Sequence, residues 1–244
     1  NLKTFLSQQN EFTDYDFEGS GMNILLDVLA YNTHYLGYNA NMLANEMYLD
    51  SADQRSSVVS LAKQVGYTPK SATSSQATID VVINNGSGSS VTMSRGTKFT
   101  TTVDGTNYSF VANADISISP LDGVYKFSNL VVYEGTYLNY KYTANTSDTD
   151  QRFIIPNDNV DTDTLTVKVQ ESSSDSTTNT YKLASGITSL DSTSKVYFLQ
   201  EVENGRFEVY FGDGVLGNAI ADGNIVIFDY IVCNGDEANG ASSF

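Results

Sequence analysis

Residues able to do chemistry are few and poorly spaced in this chain of 244 residues. His34 is its one histidine, so a zinc site or a Ser-His-Asp triad would have to form around it. It falls between Asp27 and Asn41 on the polar stripe of a predicted helix, a setting that suits a hydrogen-bonded or exposed side chain. Asp158, Asp161 and Asp163 could gather oxygen ligands for calcium, but their spacing misses the EF-hand loop. Glu201, Glu203 and Glu208, or Asp213 and Asp222, could pair as glycosidase carboxylates only if about 5 to 10 Å apart across a cleft. The Gly-rich run Phe211 to Gly217 lacks the Lys and the following amphipathic helix of a phosphate-binding loop, so it reads as a tight turn. Cys233 follows the apolar run Ile225 to Val232 with no base beside it, which is the setting of a buried thiol and not of a nucleophile. The expectation is a protein that is not an enzyme, with no catalytic residue, no metal ligand and no cofactor.

The elements that surround these residues say more. From Met22 to Leu49 the spacing predicts a long helix, roughly 40 Å at about 1.5 Å per residue. Ile24, Val28, Tyr31, Tyr35, Tyr38 and Met42 recur at steps of four and three and share one face. A second stripe runs through Met22, Leu29, Leu36 and Leu43, with Leu26, Thr33, Ala40 and Met47 completing an a/d-like seam. Ala30, Gly37 and Ala44 add small residues beside it. Asn23, Asp27, His34, Asn41 and Asn45 form the one narrow polar stripe. A helix apolar nearly all round is expected to be buried, and one this long needs helices from other chains to cover both faces. The alternative is a helical hairpin packed on its own β-domain. A second helix is expected through Val58, Leu61 and Val65, capped by Ser51 or Asp50, with Asp53 near its positive end and Gly66 and Pro69 stopping it.

Beyond Pro69 the period changes to two. Strands are expected at Ala77 to Ile83, ending in an Asn84-Asn85-Gly86 turn, and at Lys98 to Val103 and Asn107 to Val111 around an Asp104-Gly105 hairpin turn. Others follow at Ile116 to Ser119, Leu130 to Glu134, Tyr137 to Tyr142, Phe153 to Ile155, Thr164 to Val169, Lys195 to Glu201, Phe207 to Phe211 and Ile225 to Val232. Ser71 to Gln76, Thr143 to Asp150 and Glu171 to Thr180 read as loops. The fold class is therefore α+β, an N-terminal helical segment followed by mainly antiparallel β-rich modules. The divisions are a lead-in at 1–20, a helical assembly segment at 21–70, and β-modules at 71–145 and 146–244. Continuation of one sheet through Thr143 to Asp150 is the alternative to a boundary there.

Composition sets compatible limits. A hydrophobic content of 40% and 16 tyrosines fit a folded chain with extensive interface surface. A net charge of −16 with 13 basic residues argues against non-specific binding to nucleic acid or to an acidic membrane. The single cysteine excludes an intrachain disulfide framework. No signal-peptide pattern opens the chain and no apolar run approaches the ~20 residues of a membrane span, so the chain reads as soluble. Asn1 in place of an initiator Met, and the loop just before Phe244, lead to the expectation of a piece of a longer protein, the second β-module continuing past the chain end.

The run LLDVLAYNTHYLGYNANMLANEMYLDSADQRSSVVSLAKQVGYTPKSATSSQA closely resembles the N-terminal region of baseplate wedge proteins of contractile-tailed bacteriophages, the group related to baseplate J-like proteins. SRGTKFTTTVDGTNYSFVANADISI resembles that family's "Gly-Thr-x-Phe, turn, Phe" β-unit, and FGDGVLGNAIADGNIVIFDYIVCNGDEANG its later segment. The resemblance covers about Asp14 to Gly240 and is weak from Glu171 to Asp191. It implies a structural subunit of the tail baseplate in the virion, assembled in the host cytoplasm. It also implies paired copies that pack their N-terminal helices with another wedge protein, and contacts between wedges that build a ring around the hub. The assembly interface is expected at Leu26, Leu29, Leu36, Leu43, Met47, Tyr31, Tyr35, Tyr38, Met42, Val58, Leu61 and Val65. The partners are a second copy and other baseplate wedge proteins, with no nucleic acid and no membrane. A carbohydrate-binding β-module of a virion or cell surface is the alternative.

Overall fold

A computed structural model describes residues 2–6, 8–9, 11, 20–65, 67, 70–84, 88–186 and 190–244. The chain forms two compact units, 1–67 and 68–244. The first is helical, with α1 at Leu2–Leu6, α2 at Gly21–Asn45 and α3 at Arg55–Gln64. Helix α2 starts where Ser20, in extended conformation, accepts the Asn23 N–H on its hydroxyl at 3.1 Å. It ends earlier than its apolar periodicity suggests, so Met47, Tyr48 and Leu49 lie in the following turn.

That turn corrects the expected cap of α3. Neither Asp50 nor Ser51 caps it: the helix begins at Arg55, and Gln54 at its N-cap makes no side-chain cap bond. Glu46 does the work instead, accepting the N–H of Asp53 at 3.1 Å and of Gln54 at 3.3 Å. Ser51 turns back and donates to the Asn45 carbonyl at 2.7 Å, satisfying the C-terminal end of α2. The expected stops at Gly66 and Pro69, like Asn85 and Gly86 of the expected turn, lie outside the described residues.

Among its described residues the second unit holds thirteen strands. In chain order the first six are β1 (Gln76–Ile83), β2 (Val91–Met93), β3 (Lys98–Val103), β4 (Thr106–Ala112), β5 (Ile116–Ile118) and β6 (Tyr125–Glu134). β1, β6, β4 and β3 form an antiparallel sheet in that order, while β2 and β5 pair as a short ribbon. The β3–β4 hairpin turns on Asp104 and Gly105, at φ 49° and 83°, the positive values that this dipeptide tolerates. Phe110, Phe127, Leu130 and Val132 centre the core of this sheet.

The other seven are β7 (Thr136–Thr143), β8 (Phe153–Ile154), β9 (Val160–Ser172), β10 (Asp175–Leu183), β11 (Val196–Glu201), β12 (Phe207–Phe211) and β13 (Ile225–Val232). They form one sheet in the order β7-β13-β9-β10-β11-β12-β8. All its pairs are antiparallel except β10 with β11. The Thr143 to Asp150 stretch is the connection from the end of β7 to β8, and the strands on either side of it belong to this one sheet. The change of sheet comes at Gly135, whose φ is 131° and where a Cβ would drive into the Val232 carbonyl. Glu171 to Thr180, expected as a loop, is instead the turn and arm of the β9–β10 hairpin. Its alternating Ser, Thr and Asn side chains face mostly solvent while the backbone pairs with β9.

Two features tie the sheets together. After β13 the chain returns to the first sheet, where Ala238 is buried in its core and the Phe244 ring meets Phe110 edge-on at 5.1 Å. Glu134 at the end of β6 accepts both the backbone and side-chain N–H of Asn234, at 2.9 and 2.8 Å, and Ser75 donates to the Gly235 carbonyl. The second feature is Asp229. It interrupts the apolar run of the interior strand β13 and is buried, which demands partners. Tyr137 and Asn139 donate to Oδ1 at 2.6 Å each, and Lys168 to Oδ2 at 2.9 Å. Arg95, from the loop between β2 and β3, completes the set.

Candidate assembly surface

Helix α2 exposes what soluble proteins normally cover. Of its side chains, Leu26 and Asn23 are buried, whereas Leu36 is 63% exposed, Leu43 68% and Tyr31 65%. Ile24, Leu25, Val28, Leu29, Tyr35, Tyr38 and Met42 are exposed as well. Within the single chain these side chains are therefore displayed. Asn23 also leaves the expected polar stripe for the buried side. The exposed surface carries almost no charge, for Asp27 is the one acid in α2 and neither Lys nor Arg occurs there. Exposed apolar patches of this extent are characteristic of interaction sites.

Its details are partly pre-ordered. Tyr31 donates its hydroxyl to that of Tyr35 at 2.9 Å, with ring centroids 4.5 Å apart, and this bond raises the Tyr31 pKa. A Cβ on Gly37 would meet nothing, so the backbone there is open to close approach. On α3, Val59 and Ala62 are buried, Val58 and Leu61 half-buried, and Val65 exposed just past the helix end. Of the twelve residues named for the interface, Leu26 alone is buried; Met47 is exposed in the turn and not on the helix. Leu25 and Tyr48 are exposed apolar residues that the stripes missed, Leu25 because it falls between the two series.

The chemical candidates are occupied with structure. His34 is exposed, its ring 6.3 Å from that of Tyr35. Asp161 accepts the backbone N–H of Ser74 and of Asp163, while Asp158 pairs with Arg206 at 3.2 Å. Glu208 is held by both Nε and NH2 of Arg152 at 2.8 Å and by Gln200 at 2.7 Å. Glu201 is buried, and Asp222 accepts the Thr146 N–H. In the Gly-rich turn Asp213 accepts the N–H of Val215 and Leu216, donors that a bound phosphate would need. Those bonds hold the Asp213 carboxyl below its ordinary range. Cys233 is buried and unpaired. Among the described residues no group of three or more His, Cys, Asp or Glu is placed to hold a metal ion, and no helix is long and apolar enough to cross a membrane.

Two family models match parts of the chain. Residues 1–67 match the model "Baseplate wedge protein gp6-like, helical domain", whose limits coincide with the helical unit. Residues 140–233, most of the seven-stranded sheet, match "Bacteriophage baseplate wedge protein gp6, third domain". The chain is 32% identical to the baseplate wedge protein gp6 of Enterobacteria phage T4 over 264 aligned residues, covering all of this chain. It belongs to the gp6-like family of baseplate wedge proteins of phage contractile tails. The chain spans 39% of the T4 protein's length. A gp6-like wedge protein is a structural part of the tail baseplate, and the exposed helix sits in the part of the chain that its helical model covers.

Proposed function

We propose that this chain is a wedge-building subunit whose α2 packs against a second copy of itself and against another wedge protein. Contacts between wedges then close a ring around the hub. The observation that carries this reading is the exposure of Leu29, Leu36, Leu43, Tyr31, Tyr35, Tyr38 and Met42 on one helix with a single acid and no basic residue. Burying one such side chain contributes about 1.5–3 kcal/mol, so a handful covered by partner helices suffices for stable association. The turn residue Met47 and the α3 residues Val58, Leu61 and Val65 would extend the contact. Leu26 supports it from within. Assembly takes place in the host cytoplasm, before the tail is complete.

The test is native mass spectrometry of the chain alone and co-expressed with the other tail proteins of its phage. A complex of two copies with a different, helix-rich chain is the expected result. A folded monomer that ignores every tail protein overturns the reading.

A further inference from the structure

We infer that Arg95 is a clasp that fixes the angle between the four-stranded and the seven-stranded sheet, and that the joint between them pivots when Arg95 is withdrawn. The two sheets have separate cores. Phe110, Phe127, Leu130 and Val132 lie in one, Val167, Val209, Phe228 and Tyr230 in the other, and no residue belongs to both. The strands pass from one sheet to the other at Gly135 and return after Val232. These crossings lie side by side, because Thr136 pairs with Val232. Residues 140–233, matched by the third-domain model, fall on the far side of the joint.

Two adjacent lengths of backbone make a hinge line, and the angle about it is left to the other contacts. Most of the bonds that cross the joint lie on that line. Gly135 donates to the Ser109 carbonyl at 2.9 Å, and Glu134 holds Asn234. Ser74 donates its N–H to Asp161 Oδ2 at 2.8 Å, and Asp161 pairs with Ile231, next to Val232. The Thr162 N–H donates to the Ser71 hydroxyl at 2.9 Å close by. All of these bonds are polar, and it is large apolar interfaces that hold such parts of a chain rigid. Arg95 reaches furthest from the line, to Asp229, three residues and about 10 Å along β13 from Val232.

The turn that carries Arg95 is built to present it. Thr97 donates both its N–H and its hydroxyl to the Ser94 carbonyl, and the Arg95 N–H donates to Asp115 Oδ1 at 2.7 Å, so the base of the arm belongs to the first part of the unit. Its tip enters the second, bonding the Thr164 carbonyl and facing Asp229 and the Tyr137 ring. Gly96 lets the turn lie flat on that ring: its φ is 82°, and a Cβ there would come within 2.7 Å of Tyr137 Cδ1. The clasped state also carries a cost. Arg95 Nε is buried with no hydrogen-bond partner among the described residues, and a guanidinium released to water regains one. The arm is therefore held by its contacts with the seven-stranded sheet and favoured by solvation to leave it.

The experiment is a distance measurement by pulsed electron spin resonance on the full chain, with nitroxide labels at Thr106→Cys on β4 and Thr178→Cys on β10, both exposed strand positions. Cys233 is buried and takes no label. Dilution with unlabelled chain removes distances between copies. With Arg95 in place the distance is single and narrow. Arg95→Met broadens it or adds a second distance, while amide exchange shows β6 and β13 still protected, because each sheet keeps its own core. Gly96→Ala lifts the turn from Tyr137 without removing a charge, and it carries the test should Arg95→Met lose the seven-stranded sheet. An unchanged distance in a folded variant, or a broad distribution with Arg95 and Gly96 both present, overturns the proposal. Unfolding of both variants overturns it too, since the sheets then do not stand apart.

Discussion

Arg95 NH1 lies 3.6 Å from Asp229 Oδ2, with side chains 11% and 3% exposed, and the pair joins the β2–β3 loop to β13, an interior strand of the seven-stranded sheet. The same guanidinium donates through NH2 to Asn113 at 2.6 Å and to the Thr164 carbonyl at 2.8 Å, and sits 5.3 Å from the centre of the Tyr137 ring. Burial acts to raise the Asp229 pKa, but the bonds from Tyr137, Asn139 and Lys168 outweigh it and hold the carboxyl below its ordinary value. Burial, and then the bond to that carboxylate, push the Tyr137 hydroxyl up to about 12.

Replacing Asp229 by Asn leaves Arg95, 11% exposed, without its carboxylate, while Lys168, a third exposed, can turn to solvent; removing one partner of such a buried pair costs about 3–5 kcal/mol. The sign of the pH effect follows from the lowered pKa. The carboxylate's contribution is complete above the unfolded value of about 3.9 and is lost as pH falls through the lower folded value. Urea unfolding midpoints should drop strongly in Asp229→Asn at neutral pH, and the variant should lack the steepest part of the wild-type acid limb.

Leu36→Asp should leave the isolated chain's stability within about 0.5 kcal/mol, because the side chain is already in solvent. The same change puts a charge into the proposed helix contact, so entry into complete wedges should fall sharply. Urea unfolding and co-purification with tail proteins check the two halves of this expectation separately. A variant that still enters complete wedges would show the seam to be misplaced.

Gly135→Ala tests the change of sheet. The φ of 131° alone costs about 1–3 kcal/mol for a residue with a Cβ, and the approach of the Val232 carbonyl adds to it. A clear fall in the thermal midpoint is expected, with the helical content of the first unit retained by circular dichroism.

Glu46 should titrate below a free glutamate. The Ser57 hydroxyl, and with it the amides of Asp53 and Gln54, favour its charged form. The amide shifts of Asp53 and Gln54 should therefore move together with a midpoint below about 4.3. Glu46→Gln should abolish that titration and fray the start of α3.

Much of this was legible because the signals were local. The Asp104-Gly105 turn and the apolar run of β13 each declare themselves within ten residues, and the two stripes of α2 follow from helical period alone. β10 was missed because Thr177, Thr178 and Thr180 suit a strand, yet the surrounding Ser and Asp residues carry the usual mark of a loop. The Glu46 cap was missed because its donors lie seven and eight residues ahead, where no spacing rule looks. The residues proposed for the interface were readable as apolar stripes. Their exposure was not, since a periodic pattern gives the face of a helix and not what covers it.

The return of the chain after β13 has a mechanical consequence. Ser75, just before β1, and Gly235, just after β13, are hydrogen-bonded to one another, and the last residues rest on Phe110 in the four-stranded sheet. A pull applied between residues 75 and 240 is therefore borne by that sheet and its tail. The seven-stranded sheet, inserted in the chain between those two points, shares that load through the Ser74 N–H, which is bonded to Asp161 of β9.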